Sequence, residues 1–267
     1  MEKFQEGDLV VLIPAFKSKK KRRFVIKLRK GSKTHTNYGS FDHDYILNIS
    51  PGDVVETNTG FKFYALKATL TDAIFHFSEF RYATQIIYPR DWGLILSFAD
   101  IKNGSKVVEI GTGSGAFTAF LVFRVGERGF VYSYERDPER AEIARKNLEK
   151  LCVPKRYVIK VKDVARDGID ENNVDIVFAD IPEPWTIISH AYNALKPSGF
   201  FVAYIPTYNQ IEKTLLELER FPFVDVRIIE GFVRDIQPKH YAIRPELKGY
   251  FFSAYILFAR KVLRKIQ

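Results

Sequence analysis

The chain has 267 residues, 46% of them hydrophobic, which is enough for one large packed domain and a smaller one. A single cysteine excludes an intrachain disulfide framework and a cysteine zinc site, and five scattered histidines predict no metal. No apolar run approaches the roughly 20 residues of a membrane-spanning helix, and the first residues are polar, so we expect a cytoplasmic protein that does not enter the membrane.

The formal net charge of +9 comes from one segment, residues 17–33, which holds ten Lys or Arg and no acid. The rest of the chain is nearly neutral, with 31 basic and 32 acidic residues. Such a segment favours a polyanionic partner through counterion release. A solvated, charged hairpin that serves solubility is an equally open alternative.

Residues 8–70 predict a small β-rich module. Turn signals such as Pro14, Pro51-Gly52 and Asn58 to Gly60 separate five strand-like runs: DLVVLIP, RFVIKLRK, DYILNI, DVVETN and KFYALKA. A linker or short helix follows from Thr71. The predicted organisation is a β-rich domain at residues 1–70, a linker at 71–84 and a larger α/β domain at 85–267.

From Gln85 onward, strands alternate with amphipathic helices, which predicts a Rossmann-like, doubly wound parallel sheet. The predicted strands are residues 106–110, 130–134, 157–161, 174–179 and 200–205, followed by a terminal strand pair at 223–230 and 251–259. The predicted helices are residues 116–125, 138–151, 186–195 and 208–220. Asp137 is expected to cap the second of these helices ahead of Pro138.

Glycines at 111, 113 and 115 form a loop between the first of these strands and its helix. Glycine lets the backbone approach a ligand closely, and the first helical turn offers unpaired N–H groups. A dinucleotide-binding loop has the form G-x-G-x-x-G. With Gly111 and Gly113 as its first two glycines, the third would be at position 116, but the glycine is at 115 and Ala116 follows it, so the strict motif is excluded. A Walker loop is excluded because the segment lacks G-K-[ST]. A nucleophile elbow around Ser114 is excluded because positions 112 and 116, which would have to be glycine, are Thr112 and Ala116.

Acidic residues follow the ends of three predicted strands: Glu135 after FVYSY, Asp163 after YVIKVK and Asp180 after VDIVFA. Open α/β sheets bind ligands beyond the carboxyl ends of their strands, so we expect the three to lie close together. Glu135 lies about two dozen residues beyond Gly111, a spacing typical of a carboxylate that accepts ribose hydroxyls. Each acid taken alone is equally open to interpretation as a helix N-cap.

The motifs VVEIGTGSGAFT (residues 107–118), YERD (134–137) and DIPEPW (180–185) resemble those of class I S-adenosylmethionine-dependent methyltransferases. With TQIIYPRD (84–91) and FARK (258–261), the chain is similar over nearly its whole length to the tRNA adenine-58 N1-methyltransferases. This resemblance implies S-adenosylmethionine as cofactor, tRNA as partner and a homotetramer. It also implies methyl transfer to N1 of adenine 58, and possibly 57, in the T-loop.

The same resemblance implies the role of each matching residue. The catalytic residues would be Asp180, beside the target base, and Tyr88, which shapes its pocket. Glu135 with Arg136 would contact the ribose of the cofactor, and Asp163 its adenine. The methionine part of the cofactor would be held by Gln85, Glu109 and the loop residues Gly111, Gly113, Ser114, Gly115 and Ala116, with Asp180 close by. Trp185 is either a wall of the pocket or a core aromatic.

For the basic segment, the resemblance favours phosphate contacts by Lys19, Lys20, Lys21, Arg22, Arg23, Lys27 and Arg29. The chain departs from the family after Arg244-Pro245, where it lacks a Gly-His-Thr-Gly segment, and this puts a pocket role for the missing His and Thr in doubt. Two alternatives remain open. One is a methyltransferase of the same fold that acts on a protein carboxyl group or a small molecule, and the other is a non-catalytic tRNA-binding subunit.

Overall fold

The computed structural model describes residues 2–15, 23–77, 85–238, 240–246, 253–264 and 266. The chain divides into two compact units, residues 1–82 and 83–267. Within the described ranges, no helix combines the length and the apolar content that crossing a bilayer requires.

The first unit is built on antiparallel strands. Its strands are β1 (Leu9–Pro14), β2 (Phe24–Lys27), β3 (Lys33–Thr36), β4 (Gly39–Asp42), β5 (Val54–Glu56) and β6 (Lys62–Lys67), and its helices are α1 (His43–Leu47) and α2 (Leu70–His76). The described strands form a four-stranded sheet of order β2-β1-β6-β5 and a β3-β4 hairpin. Phe41 and Phe63 are fully buried at the centre of its core, with ring centroids 5.0 Å apart in an edge-to-face contact.

The predicted strand DYILNI (residues 44–49) is wrong, because residues 44–47 lie in helix α1 and Asn48 caps its end. The Asp42 side chain caps this helix by accepting the Asp44 N–H at 2.9 Å, and the Asn48 amide donates to the Asp44 carbonyl at 2.8 Å. Asp and Asn offer the backbone these local hydrogen bonds, which favour a helix end over a strand. Helix α2 occupies the start of the predicted linker and carries a complete capping box between Thr69 and Asp72.

The second unit is an α/β sheet structure. Its strands are β7 (Lys106–Ile110), β8 (Phe130–Glu135), β9 (Tyr157–Val161), β10 (Val174–Ala179), β11 (Leu195–Ile205), β12 (Phe223–Glu230), β13 (Ile236–Gln237), β14 (Arg244–Pro245) and β15 (Tyr255–Lys261). Its α-helices are α3 (Pro89–Phe98), α4 (Ala116–Val125), α5 (Pro138–Lys150), α6 (Val164–Asp167), α7 (Ile188–Ala194) and α8 (Tyr208–Leu218), and a 3₁₀ turn covers Pro184–Ile187.

The large sheet has the order β12-β15-β11-β10-β7-β8-β9. The five strands from β11 to β9 are parallel, and β15 runs antiparallel to both of its neighbours. This confirms the predicted doubly wound sheet, and the antiparallel pairing of β12 with β15 confirms the predicted terminal pair. The parallel strands are covered on both faces, so strand β10 is an almost continuous buried run.

Strand register sets the position of the loops that matter for function. Ile110, the last residue of β7, pairs with Tyr134 of β8 on one side and with Ala179 of β10 on the other. The residues that follow, Gly111 and Asp180, therefore leave the sheet at the same level, beside Glu135 at the end of β8. The three predicted ligand-binding segments meet at one edge because the strands that carry them are hydrogen-bonded neighbours.

Candidate active site

A cavity of about 450 Å³ opens at this carboxyl edge of the large sheet, within the second unit. The glycine loop and the segments that follow β8, β9 and β10 line it. Ten of the predicted site residues contribute to the lining: Gln85, Glu109, Gly111, Gly113, Ser114, Ala116, Glu135, Arg136, Asp163 and Asp180.

Two of the predicted catalytic and cofactor-binding residues lie outside the lining of this cavity. Gly115 has a left-handed backbone, and a side chain there would contact Ala144 and Leu148 of α5 at 3.3 Å, so this glycine allows α4 and α5 to pack closely. Tyr88 precedes α3, with the Arg90 guanidinium 5.8 Å from its ring centroid. The cofactor role of Gly115 and the base-pocket role of Tyr88 stay predictions.

Gly111 brings the glycine loop against the segment that begins with Asp180. Its φ of +94° lies in the left-handed region, and a Cβ atom added there would overlap the carbonyl oxygen of Asp180. The Asp180 N–H also donates to the Ile110 carbonyl at 2.9 Å. The two loops are thus in backbone contact, and only glycine allows the approach.

The Glu135 carboxylate is fixed by two backbone hydrogen bonds. One oxygen accepts the Gly113 N–H at 3.1 Å, and the other accepts the Asp137 N–H at 3.1 Å. The carboxylate therefore links the glycine loop to the turn that begins α5, where Asp137 is the N-cap that the sequence predicted. A carboxylate has about four acceptor positions, so Glu135 keeps acceptor capacity for hydroxyl groups of a ligand in the cavity.

Glu109 is only 1% exposed and lies under the glycine loop. Its Oε2 accepts hydrogen bonds from the Thr118 and Ser133 hydroxyls, each at 2.6 Å. Burial, reinforced by the nearby Asp180 and Glu135 charges, raises the pKa of Glu109 to about 8, and the two hydroxyl donors oppose that rise. Near neutral pH, this side chain therefore carries a proton for most of the time when no ligand is bound.

Asp180 stands at the end of β10, and burial raises its pKa to about 7. Glu109, Glu135 and Asp180 thus share one cavity, and the charges of the other two disfavour ionisation of Glu109. A positively charged ligand would favour the ionised forms of Glu109 and Asp180 and lower the pKa values of both. The cavity is therefore suited to a cation with hydroxyl groups.

Asp163 is both a helix N-cap and a residue of the cavity, the two interpretations that the sequence left open. Its side chain accepts the Ala165 N–H at 3.1 Å and caps helix α6, and the residue also lines the cavity. Trp185, for which two roles were also open, packs against the core of the large sheet and lies under the Lys213 ammonium group, outside the cavity lining.

Several polar residues that line the cavity were given no site role by the sequence analysis. Tyr134, Arg140 and Lys162 line the cavity. Outside the cavity lining, Tyr204 of β11 donates to the Asp91 carboxylate at 2.9 Å, and Ser253 donates to the same oxygen at 2.7 Å. Burial raises the pKa of Tyr204 well above its usual range. Only their positions in the sequence could have indicated these residues. Tyr134 immediately precedes Glu135, and Tyr204 lies near the carboxyl end of a predicted strand.

The described residues contain no group of three or more His, Cys, Asp or Glu side chains arranged to hold a metal ion. The cavity instead offers a glycine loop, a carboxylate suited to ribose hydroxyls and further acids suited to positive charge. S-adenosylmethionine has a sulfonium, an ammonium group and a ribose diol, so the residues fit it. The sheet with one antiparallel strand and the glycine loop after β7 define the class of S-adenosylmethionine-dependent methyltransferases.

Comparison with known proteins narrows this class. A family model described as the tRNA methyltransferase complex GCD14 subunit matches residues 73–248, and a TrmI-like N-terminal model matches residues 3–55. The chain belongs to this tRNA methyltransferase family, and S-adenosylmethionine is its cofactor.

Curated relatives and solved structures support the same assignment. The chain is 31% identical to the tRNA (adenine(57)-N(1)/adenine(58)-N(1))-methyltransferase TrmI of Methanocaldococcus jannaschii, over 90% of this chain and 91% of the relative. It is 30% identical to the tRNA (adenine(58)-N(1))-methyltransferase TrmI of Thermus thermophilus, over 92% and 95%.

Among solved structures, a Thermotoga maritima protein described as a SAM-dependent O-methyltransferase has a TM-score of 0.89 and 35% identity, covering 99% of this chain and 96% of its own. The tRNA (m1A58) methyltransferase TrmI of Aquifex aeolicus has a TM-score of 0.82 and 26% identity, covering 98% and 100%.

Gly111→Ala should weaken cofactor binding by about tenfold or more, which corresponds to about 1.4 kcal/mol, because the added Cβ displaces the Asp180 backbone. Gly104→Ala is the matched control, since Gly104 has a similar φ of +96° but its nearest neighbour would be 3.9 Å away. The control should lose only about 1–2 kcal/mol of stability to backbone strain. Calorimetric titration with S-adenosylhomocysteine distinguishes the two, and equal affinities in both variants would contradict the close approach.

The raised pKa of Glu109 predicts that the ligand-free protein loses stability as pH rises. The folded protein binds more protons than the unfolded chain between the ordinary pKa of 4.5 and the folded value of about 8, so the free energy of unfolding falls across that window. In wild type, Glu109 should contribute about 1–4 kcal/mol to the decrease in the free energy of unfolding between pH 5 and 9, and Glu109→Gln should lack this contribution. Urea denaturation at pH 5, 7 and 9 measures it. Glu139→Gln, at an exposed acid in α5, should keep it. A Glu109→Gln variant with the wild-type slope would refute the assignment.

Proposed function

We propose that this protein transfers a methyl group from S-adenosylmethionine to N1 of adenine 58 in the T-loop of tRNA. Membership of the tRNA methyltransferase family and the adenine-N1 activity named for its curated relatives support the proposal. The observation that carries it is the placement of Asp180 in the cavity, in backbone contact with the glycine loop through Gly111.

Asp180 is proposed to act on the target base. When bound, S-adenosylmethionine supplies a methyl carbon activated by a positively charged sulfur, so the protein chiefly has to position the acceptor nitrogen in line with it. N1 of adenine is a weak nucleophile. A carboxylate that accepts a hydrogen bond from the adjacent exocyclic amine pushes electron density toward N1 as positive charge develops, an effect worth roughly 2–4 kcal/mol of barrier.

The ionised form of Asp180 is required for this role, because a protonated carboxyl group is a poorer acceptor. Its pKa near 7 in the ligand-free protein means that the fraction of active enzyme rises as pH increases through neutrality. The sulfonium charge, once bound, favours the same ionised form. Gln85, Glu135, Arg136 and Asp163 are proposed to hold the cofactor, together with Glu109 and the glycine loop.

Nucleoside mapping by mass spectrometry tests the reaction and Asp180 together. Unmodified tRNA is incubated with labelled S-adenosylmethionine and either wild-type protein or Asp180→Asn, which keeps the size of the side chain but loses its charge. We expect N1-methyladenosine in the T-loop, about 10²- to 10³-fold slower with the variant. S-adenosylhomocysteine affinity should change only a few-fold.

The alternatives predict other outcomes of this experiment. Label in protein or in small molecules, with none in tRNA, would support a different acceptor, which the O-methyltransferase description of the Thermotoga relative makes worth testing. Cofactor and tRNA binding with no methylated product would support a non-catalytic subunit. Equal rates for wild type and Asp180→Asn would remove Asp180 from the mechanism.

The basic segment is proposed to contact tRNA phosphates. Lys19, Lys20, Lys21 and Arg22 lie outside the described residues. Arg23 forms an ion pair with Asp72 at 3.0 Å in the first unit, so its charge is shared, while Lys27 is in β2 and Arg29 is exposed just after it. The homotetramer implied by the resemblance stays a prediction.

Replacing residues 19–22 with Ser should make tRNA binding less dependent on salt, because each lost phosphate contact lowers the slope of log K against log[salt] by about 0.7–0.9. Filter binding between 50 and 300 mM KCl measures the slope. A control variant loses the same charge at four exposed cations of the second unit: Lys102, Lys146, Lys155 and Arg220. If both variants keep the wild-type slope, the segment serves solubility alone.

A further inference from the structure

Two stacked tyrosines stand at the carboxyl edge of the large sheet, beyond the end of β11. Tyr208, the first residue of α8, is 72% exposed, and its ring stacks on Tyr255 with a centroid distance of 4.9 Å and an interplanar angle of 27°. Tyr255 begins β15 and pairs with Ile205, the last residue of β11. We call Tyr208 and Tyr255 the tyrosine pair. It presents an aromatic face to solvent on the edge that also carries Asp180.

The helix that carries Tyr208 is tied to the segment that begins with Asp180. The Gln210 side-chain amide donates to the Pro182 carbonyl at 2.8 Å. One turn later, the Lys213 ammonium lies 4.8 Å from the centroid of the Trp185 ring. Thr207 caps the same helix by accepting the Gln210 N–H. The tyrosine pair therefore has a fixed position relative to Asp180, on the side of the sheet away from Glu135.

The chemistry of this surface suits a nucleobase. An exposed aromatic ring binds the flat face of a base irrespective of its sequence. The hydrogen bond with Tyr208 is the main cause that raises the pKa of Tyr255 to about 12, with a smaller contribution from the Glu230 carboxylate on the neighbouring strand, so this phenol stays neutral. An apolar peptide would require a groove, whereas the tyrosine pair offers a flat stacking face.

We infer that the tyrosine pair stacks a tRNA base next to the target adenine and holds the strand open while that adenine occupies the cavity. The inference rests on the proposed function and names a surface that recognises the substrate. A base turned into a cavity leaves its neighbours in the strand without their stacking partner, and an aromatic ring in the protein replaces that partner. The position of the tyrosine pair beyond β11, beside the Asp180 segment of β10, matches such a neighbour.

Fluorescence of 2-aminopurine tests this contact apart from methyl transfer. The analogue is placed in turn on each side of the target adenine, and the tRNA is bound to protein saturated with S-adenosylhomocysteine. With wild type, we expect the fluorescence of 2-aminopurine to be quenched in one of the two positions. Tyr208→Phe, which keeps the aromatic ring, should give the same quenching. Tyr208→Ala should lose the quenching and weaken tRNA binding about 5- to 100-fold, with S-adenosylhomocysteine affinity unchanged.

Controls separate stacking from folding and from assembly. Phe123→Ala removes another half-exposed aromatic, on α4, and should behave as wild type. The inference fails if Tyr208→Ala quenches and binds tRNA like wild type, or if the variant changes the oligomeric state, since the tyrosine pair would then be a contact between copies of the chain. Methylation by wild type without quenching at either position overturns the stacking role alone. Quenching without methylation supports stacking and refutes the proposed reaction.

Discussion

The register of three hydrogen-bonded strands is the constraint on which the site depends. Ile110 is paired with Tyr134 and Ala179, so the glycine loop leaves the sheet between the segments that carry Glu135 and Asp180. Gly111 then allows the two backbones to touch, where any side chain would overlap the Asp180 carbonyl. A shift of one residue in either pairing would reverse the direction of every side chain in that strand and remove its acid from the cavity. The position of the reacting groups is therefore a property of the sheet, with little freedom left to the loops.

That geometry brings negative charges together, which is unfavourable in the absence of a ligand. Glu109 and Asp180 both have raised pKa values, since burial disfavours the charged forms. Hydroxyl donors from Thr118 and Ser133 relieve part of this for Glu109. The positive charge of a bound sulfonium favours the ionised forms as well. Binding and ionisation are thereby linked: the cofactor favours the ionised Asp180 that the proposed reaction requires, and the ligand-free protein holds the acids partly protonated.

The sequence predicted the parts of the site that depend on local pattern. A buried strand followed by glycines or by an acid can be recognised within a dozen residues, and the resulting loops lie together because parallel strands end at one edge. Long-range contacts could not be predicted in this way. Tyr204 and Asp91, joined by a hydrogen bond, are 113 positions apart. The failure at DYILNI has a local cause, since apolar residues in a run of six are compatible with either a strand or a short helix, and the Asp42 cap decides between them.

The carboxyl edge divides between two tasks, with Asp180 at the boundary. Strands β7, β8 and β9 carry the groups suited to the cofactor, whereas Tyr204 lies on β11 and the tyrosine pair lies at the starts of α8 and β15. Strand β10 lies between these halves, hydrogen-bonded to β7 and to β11. A group at its end is in reach of ligands on both sides. In the proposed reaction the methyl group passes between two bound molecules, and the order of the strands places Asp180 between the cofactor groups and β11.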